Sequence, residues 1–134
     1  MSVPSGLRGQ SDAEFLHTAK VIDETVCRFC MKMPKSMMFL KSQRLAHVAM
    51  DAYYNVMAAN SVYPKNAHEV QMRRDYIVTA RGKYYFIGAE LEVLNDIIGI
   101  EPKKMQNIAG LIHTELKLLK ALMESDARRF SSLK

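Results

Sequence analysis

Apolar residues recur along this chain at alternating steps of three and four, the spacing that lines one face of an α-helix. Phe15, Ala19, Ile22, Val26 and Phe29 form the first such stripe. Ser11-Asp12-Ala13-Glu14 precedes it as a capping box, a hydroxyl to cap the first turn and a Glu to bond back. Met33-Pro34 stops it, because the residue before proline is pushed out of the helical region. A second helix is predicted from about Ser36 to Asn60, on Leu45, Val48, Ala52, Val56 and Ala59. Its Ala content predicts close approach of a neighbouring helix. The segment from Ala58 to Pro64 closes it and turns.

The third helix starts at Asn66, a capping residue followed three positions later by Glu69. Its stripe is Val70, Ile77, Ala80, Tyr84, Ile87, Leu91, Leu94 and Ile98. Gly99 follows where a left-handed C′ glycine is expected. The helix should be roughly 45 Å long at 1.5 Å rise per residue. Gly82 and Gly88 lie inside it, each costing about 1 kcal/mol relative to Ala, and are read as marks of close packing or a local bend. The fourth helix opens on Pro102, a favoured first-turn residue, and carries Met105, Ile108, Ile112, Leu119 and Leu122. Leu116, Leu118 and Met123 widen that face beyond the needs of a four-helix core, which predicts a subunit interface there. Short turns make successive helices antiparallel. The expected fold is all-α: an up-down-up-down four-helix bundle over residues 11–127, with a flexible arm at 1–10 and a basic tail at 128–134.

Composition narrows the class further. A chain of 134 residues fits one domain, and 49% hydrophobic with 25% charged residues argues against disorder. No apolar run approaches the roughly 18 residues of a membrane span, and the first ten residues hold no apolar signal core. The expectation is a cytoplasmic protein with no membrane partner. A net charge of +5 and a pI near 9.3 suit nucleic acid, an acidic protein partner, or neither. Ten Met residues are read as adaptable core and interface packing.

Candidate chemistry is sparse. Cys27-Arg28-Phe29-Cys30 has the C-x-x-C spacing of a redox pair or half a zinc site. It lies within a helical pattern, and no second Cys pair completes four ligands. Two small residues on one helix face is the competing reading. Glu14-Phe15-Leu16-His17 is a single E-x-x-H, whereas a di-iron bundle needs two; His47, His68 and His113 lack a Glu three positions earlier. The Met content leaves a haem ligand open without selecting one. No G-x-S-x-G, P-loop or G-x-G-x-x-G is present. The expectation is a protein without catalytic residues, metal or cofactor.

Folding the basic residues into an antiparallel bundle groups them. Arg8, Lys65, Arg73, Arg74, Arg128 and Arg129 fall at one end, and Lys32, Lys35, Lys103 and Lys104 at the other. Arg44, Arg81 and Lys83 are expected level with each other between the second and third helices. Arginine forks match phosphate oxygens. Contact of this kind is to the nucleic-acid backbone and salt-sensitive. A solvated charged face is the alternative.

Several short motifs carry a resemblance. They are Met33-Pro34-Lys35, Arg44-Leu45, Ala52-Tyr53-Tyr54, the run from Ala58 to Pro64, Glu69 with Arg73-Arg74-Asp75-Tyr76, and the end from Leu118 to Asp126. Over roughly residues 11–127 the chain resembles the accessory variability determinants of diversity-generating retroelements. It is similar also to the related proteins encoded in 23S ribosomal RNA intervening sequences. The resemblance implies an antiparallel four-helix bundle that assembles as a barrel-like homopentamer. It implies a non-catalytic partner of a reverse transcriptase that also binds the template-region RNA, or DNA, and supports mutagenic cDNA synthesis. Basic surface residues would make those contacts. By motif it reaches Arg73 and Arg74, whose pairing with Glu69 or with an acid on a neighbouring helix is the competing role. Candidate contact residues are Lys65, Arg73, Arg74, Arg128, Arg129, Arg44, Arg81 and Lys83. A plain protein-protein adaptor, or a redox or metal bundle using Cys27, Cys30, Glu14 and His17, are the rival classes.

Overall fold

A computed structural model describes residues 14–134. The predicted arm, Arg8 and the Ser11 cap lie outside the described residues. Among the described residues four α-helices follow in order: α1 (Glu14–Met31), α2 (Gln43–Ser61), α3 (Ala67–Ile98) and α4 (Pro102–Arg129). No strand occurs among the described residues. Each helix packs on its neighbours in the chain, and α4 closes back onto α1. The pairs run antiparallel. Lys41 just before α2 meets Glu90 late in α3, and Arg73 early in α3 meets Asp126 late in α4.

The stripes point inward as their spacing requires. Ala19, Ile22 and Val26 from α1 meet Leu45, Ala52 and Val56 from α2, Ile77, Tyr84 and Leu91 from α3, and Ile108 and Leu119 from α4, in one core. Phe29, Val48, Met105 and Leu122 pack half-buried at its edge. At the overhanging ends of α3, Val70 is half-buried and Ile98 is exposed. At the start of α3, the Asn66 side chain accepts the Glu69 N–H at 2.9 Å, and the Glu69 carboxylate accepts the Lys65 N–H at 2.7 Å. The first bond satisfies a donor that the first helical turn leaves free, and the second ties the residue before the cap to that turn. At the other end, Gly99 takes a positive φ of 71°, and its N–H closes on the Asn95 carbonyl at 2.9 Å. The positive φ is the glycine signal that was expected here, and the ψ of 125° takes the chain directly out of the helix.

Three expectations are corrected. The second helix does not start cleanly near Ser36. A tight 3-10 turn at Lys35–Met37 is followed by a wide π-type turn at Met38–Ser42, where the Gln43 N–H reaches the Met38 carbonyl. The change of winding turns Met37 inward and leaves Met38, Phe39 and Leu40 exposed. Four consecutive apolar residues carry no three-four spacing, so periodicity could not set their phase.

The wide face of α4 is not the uncovered one. Leu111, Leu116, Leu118, Leu122 and Met123 are partly buried against the core, because α1 and α3 cover both flanks. Among the described residues, every exposed large apolar side chain except Met31 lies between Met38 and Ile98. Phe39, Tyr54, Tyr85, Phe86 and Ile97 are among them. Finally, Gly82 and Gly88 do not serve close packing, since a Cβ at either position would meet no atom within 4 Å. No helix among the described residues is long and apolar enough to cross a membrane.

Candidate functional site: a charged clasp and the basic end around it

Arg73 occupies a position on the inward stripe of α3, between Val70 and Ile77, and is 7% exposed. Its guanidinium makes four hydrogen bonds. Nε donates to Asp126 Oδ2 at 2.6 Å and Nη2 to Asp126 Oδ1 at 3.3 Å. Nη1 donates to the carbonyls of Ala59 at 3.1 Å and Val62 at 3.2 Å. Ala59 and Val62 are at the C-terminal end of α2, where carbonyls lack helical partners. One side chain therefore ties together the end of α2, the start of α3 and the end of α4. Arg129 adds an Nη2 bond to Asp126 Oδ1 at 2.9 Å, and its guanidinium stands 4.9 Å from the centre of the Phe130 ring.

Arg73 thus faces inward and offers no guanidinium face to a phosphate. The observed role is the competing one, pairing with an acid on a neighbouring helix, and the acid is Asp126. Glu69 is engaged instead at the cap. Around the clasp, Lys65, Arg74, Arg128 and Arg129 are exposed and share one end of the bundle.

The expected trio between α2 and α3 is split. Lys83 faces α2 and stands 3.9 Å from Asp51. Arg81, two residues away, turns to the other flank, where Nη1 lies 3.7 Å from the Met123 sulfur of α4. Successive residues on a helix are about 100° apart, so positions 81 and 83 cannot share a face. Arg44 lines an open groove with Phe39, His47, Val48 and Phe86.

A second buried polar group lies on α4. Glu115 is fully buried, and neither carboxylate oxygen has a hydrogen-bond partner among the described residues. Burial, with the charge of Glu14 second, pushes its carboxyl up to about 9. The hydroxyl of Tyr84 on α3 is likewise buried without a partner. Burial first, and then the nearby Glu115, Asp23 and Tyr53, raise its ionisation far above the usual phenol range. Periodicity overlooked Glu115 and Asp126, and left the inward position of Arg73 as one reading of two, because it counts apolar residues. The gaps from Val70 to Ile77 and from Ile112 to Leu119 were the available signal: each spans two turns and encloses one inward position.

The remaining motifs stay apart. Cys27 is exposed and Cys30 half-buried, both as free thiols. Burial chiefly, and Cys27 next, push the Cys30 thiol up to about 11, against the lowering effect of a backbone hydrogen bond at Ala46. A thiol held protonated is a poor nucleophile. Glu14 and His17 are exposed. No group of three or more His, Cys, Asp or Glu that could hold a metal ion occurs among the described residues.

The architecture is that of a four-helix bundle clasped at one end by a buried ion pair. Compared with known proteins, the chain matches no family model, no curated protein and no solved structure.

Proposed function

We propose that this chain is a non-catalytic accessory protein that binds a reverse transcriptase and its template-region RNA as a homo-oligomer, in a diversity-generating retroelement. The observation that carries the reading is the convergence at the clasped end. The Arg73–Asp126 pair joins the start of α3 to the end of α4, which gathers exposed Lys65, Arg74, Arg128 and Arg129 around one rigid point. Cations held this way suit phosphate backbones and contact them without reading sequence. Self-association is favoured by the exposed apolar residues of α2, α3 and the turn before them. A ring of about five copies, the arrangement the resemblance implies, would repeat the basic end and add weak contacts by effective concentration.

The test replaces Arg74 and Arg128 with Glu. Both are exposed and neither belongs to the clasp, whereas Arg129 holds Asp126 and would disturb it. Binding to a structured RNA hairpin should weaken, and the salt dependence should flatten by roughly one unit of log-log slope per lost contact. Sedimentation should return the same oligomer for the variant and the parent. Unchanged RNA affinity across a salt titration, or a parent that sediments as a monomer at micromolar concentration, overturns the reading.

A further inference from the structure

The end of the bundle opposite the clasp holds a cavity of about 140 Å³ between the last turns of α1 and the first turns of α4. Its apolar wall is Phe29, half-buried, and Ile108, 2% exposed; both pack into the core and are fixed by it. Around it stand three exposed cations, Arg28, Lys32 and Lys104, and the amide of Asn107. Among the described residues none of the three cations has a carboxylate within salt-bridge distance. We propose that this cavity binds a nucleotide, its ring against Phe29 and Ile108 and its phosphate among Arg28, Lys32 and Lys104.

Size, charge and polarity each narrow the ligand. An enclosed cavity of roughly 150 Å³ accepts a benzene-sized ring; this one opens to solvent on its charged side, so it admits the planar part of a base with the sugar and phosphate outside. Aromatic walls hold nucleobases by stacking, irrespective of their sequence. Three cations around one cavity with no carboxylate within salt-bridge distance repel one another, and a doubly charged anion relieves that repulsion. The start of α4 contributes in the same sense. Its N-terminal turn has no side-chain cap, and a helix N-terminus favours negative charge. Asn107 carries both a donor and an acceptor, which match the polar edge of a base and have no use for a plain hydrocarbon ring. An acidic peptide would engage the cations yet leave the ring space or the amide idle. The cavity stands independently of the proposed function, since it lies at the other end from Lys65 and Arg128.

The experiment is a titration of the full chain, followed by calorimetry and by NMR, with adenosine 5′-monophosphate, adenosine, inorganic phosphate and the peptide acetyl-Glu-Glu-Phe. The monophosphate should bind at least about tenfold more tightly than adenosine or phosphate, shifting Thr25, Phe29 and Ile108. Replacing Lys32 and Lys104 with Glu should lower that affinity about tenfold with helicity by circular dichroism unchanged. Asn107→Leu should weaken the monophosphate but not phosphate. A short oligoadenylate that binds more tightly than the monophosphate identifies a nucleic-acid strand as the source, and equal affinity identifies a free nucleotide. Phosphate binding as well as the monophosphate, the peptide binding better, or shifts confined to Lys65 and Arg128 overturns the proposal.

Discussion

Arg73 and Glu115 both place an ionisable group on the inward stripe of a long helix, and their surroundings differ in what sets the cost of burial. Arg73 spends its donors on a carboxylate and on two carbonyls at the end of α2, of which Ala59 also accepts the Val62 N–H. Its partners come from two other helices, α2 and α4, so the guanidinium is satisfied only when both are in register with α3. Glu115 has no partner for either oxygen. It is accommodated by keeping its proton, which removes the charge but leaves the polar atoms unbonded. A buried ionisable group thus acts as a staple where the fold supplies its partners, and weakens the bundle where it does not.

The largest effect should come from cutting the staple. Asp126→Ala leaves the Arg73 guanidinium buried with only the two carbonyls, and breaking a buried pair from one side costs about 3–5 kcal/mol. Urea denaturation followed by circular dichroism measures it. Removing both charges together, as Arg73→Met with Asp126→Leu, should cost far less, because no uncompensated charge remains. Equal losses for the single and double changes would mean that the carbonyl bonds of Ala59 and Val62, not the ion pair, hold that end.

Glu115 gives the opposite sign and a pH signature. Its ordinary value is 4.5 and the folded protein raises it to about 9. Between those values the folded chain holds a proton that the unfolded chain has released. The stability from this group is therefore complete below about pH 4.5 and is lost as pH rises toward 9, at about 1.4 kcal/mol per unit. From pH 5 to pH 7 the loss is about 2–3 kcal/mol. Glu115→Gln should remove this component, so its stability relative to the parent rises over that interval. Denaturation curves for the two proteins at both pH values test this, and a pH-invariant difference between them would rule out a proton held on Glu115.

What the sequence made legible follows from what periodicity measures. Three-four spacing is a direct record of which side of a helix is dry, so Ile22, Val56, Ile87 and Leu119 were all placed in the core where they lie. The Asn66 cap and the first-turn Pro102 were readable because each meets a specific backbone need. The pairing of Arg73 with an acid on a neighbouring helix was one of its two readings, but the acid, Asp126, and the buried Glu115 were not legible, since their roles depend on what another helix brings opposite them. The face of α4 was misjudged for the same reason: its width says nothing about how far α1 and α3 wrap around it. The split between Arg81 and Lys83, by contrast, was open to reading from helix geometry alone.

The smallest effect separates helix propensity from either polar cluster. Gly82 and Gly88 lie on α3, on either side of Tyr84, in backbone that carries no positive φ. An added Cβ would meet nothing within 4 Å at either place. Ala there restricts the unfolded chain and strains nothing in the folded one, so each change should stabilise by about 0.5–1 kcal/mol. Sharing no contact with the clasp or with Glu115, both gains should add to the effects of Asp126→Ala and Glu115→Gln within about 0.5 kcal/mol. A Gly82→Ala that lowers stability would mean that α3 needs its glycines for a bend. A gain that vanishes in the Asp126→Ala background would mean that the clasp and the middle of α3 are coupled through the helix itself, and that the two polar clusters are one system.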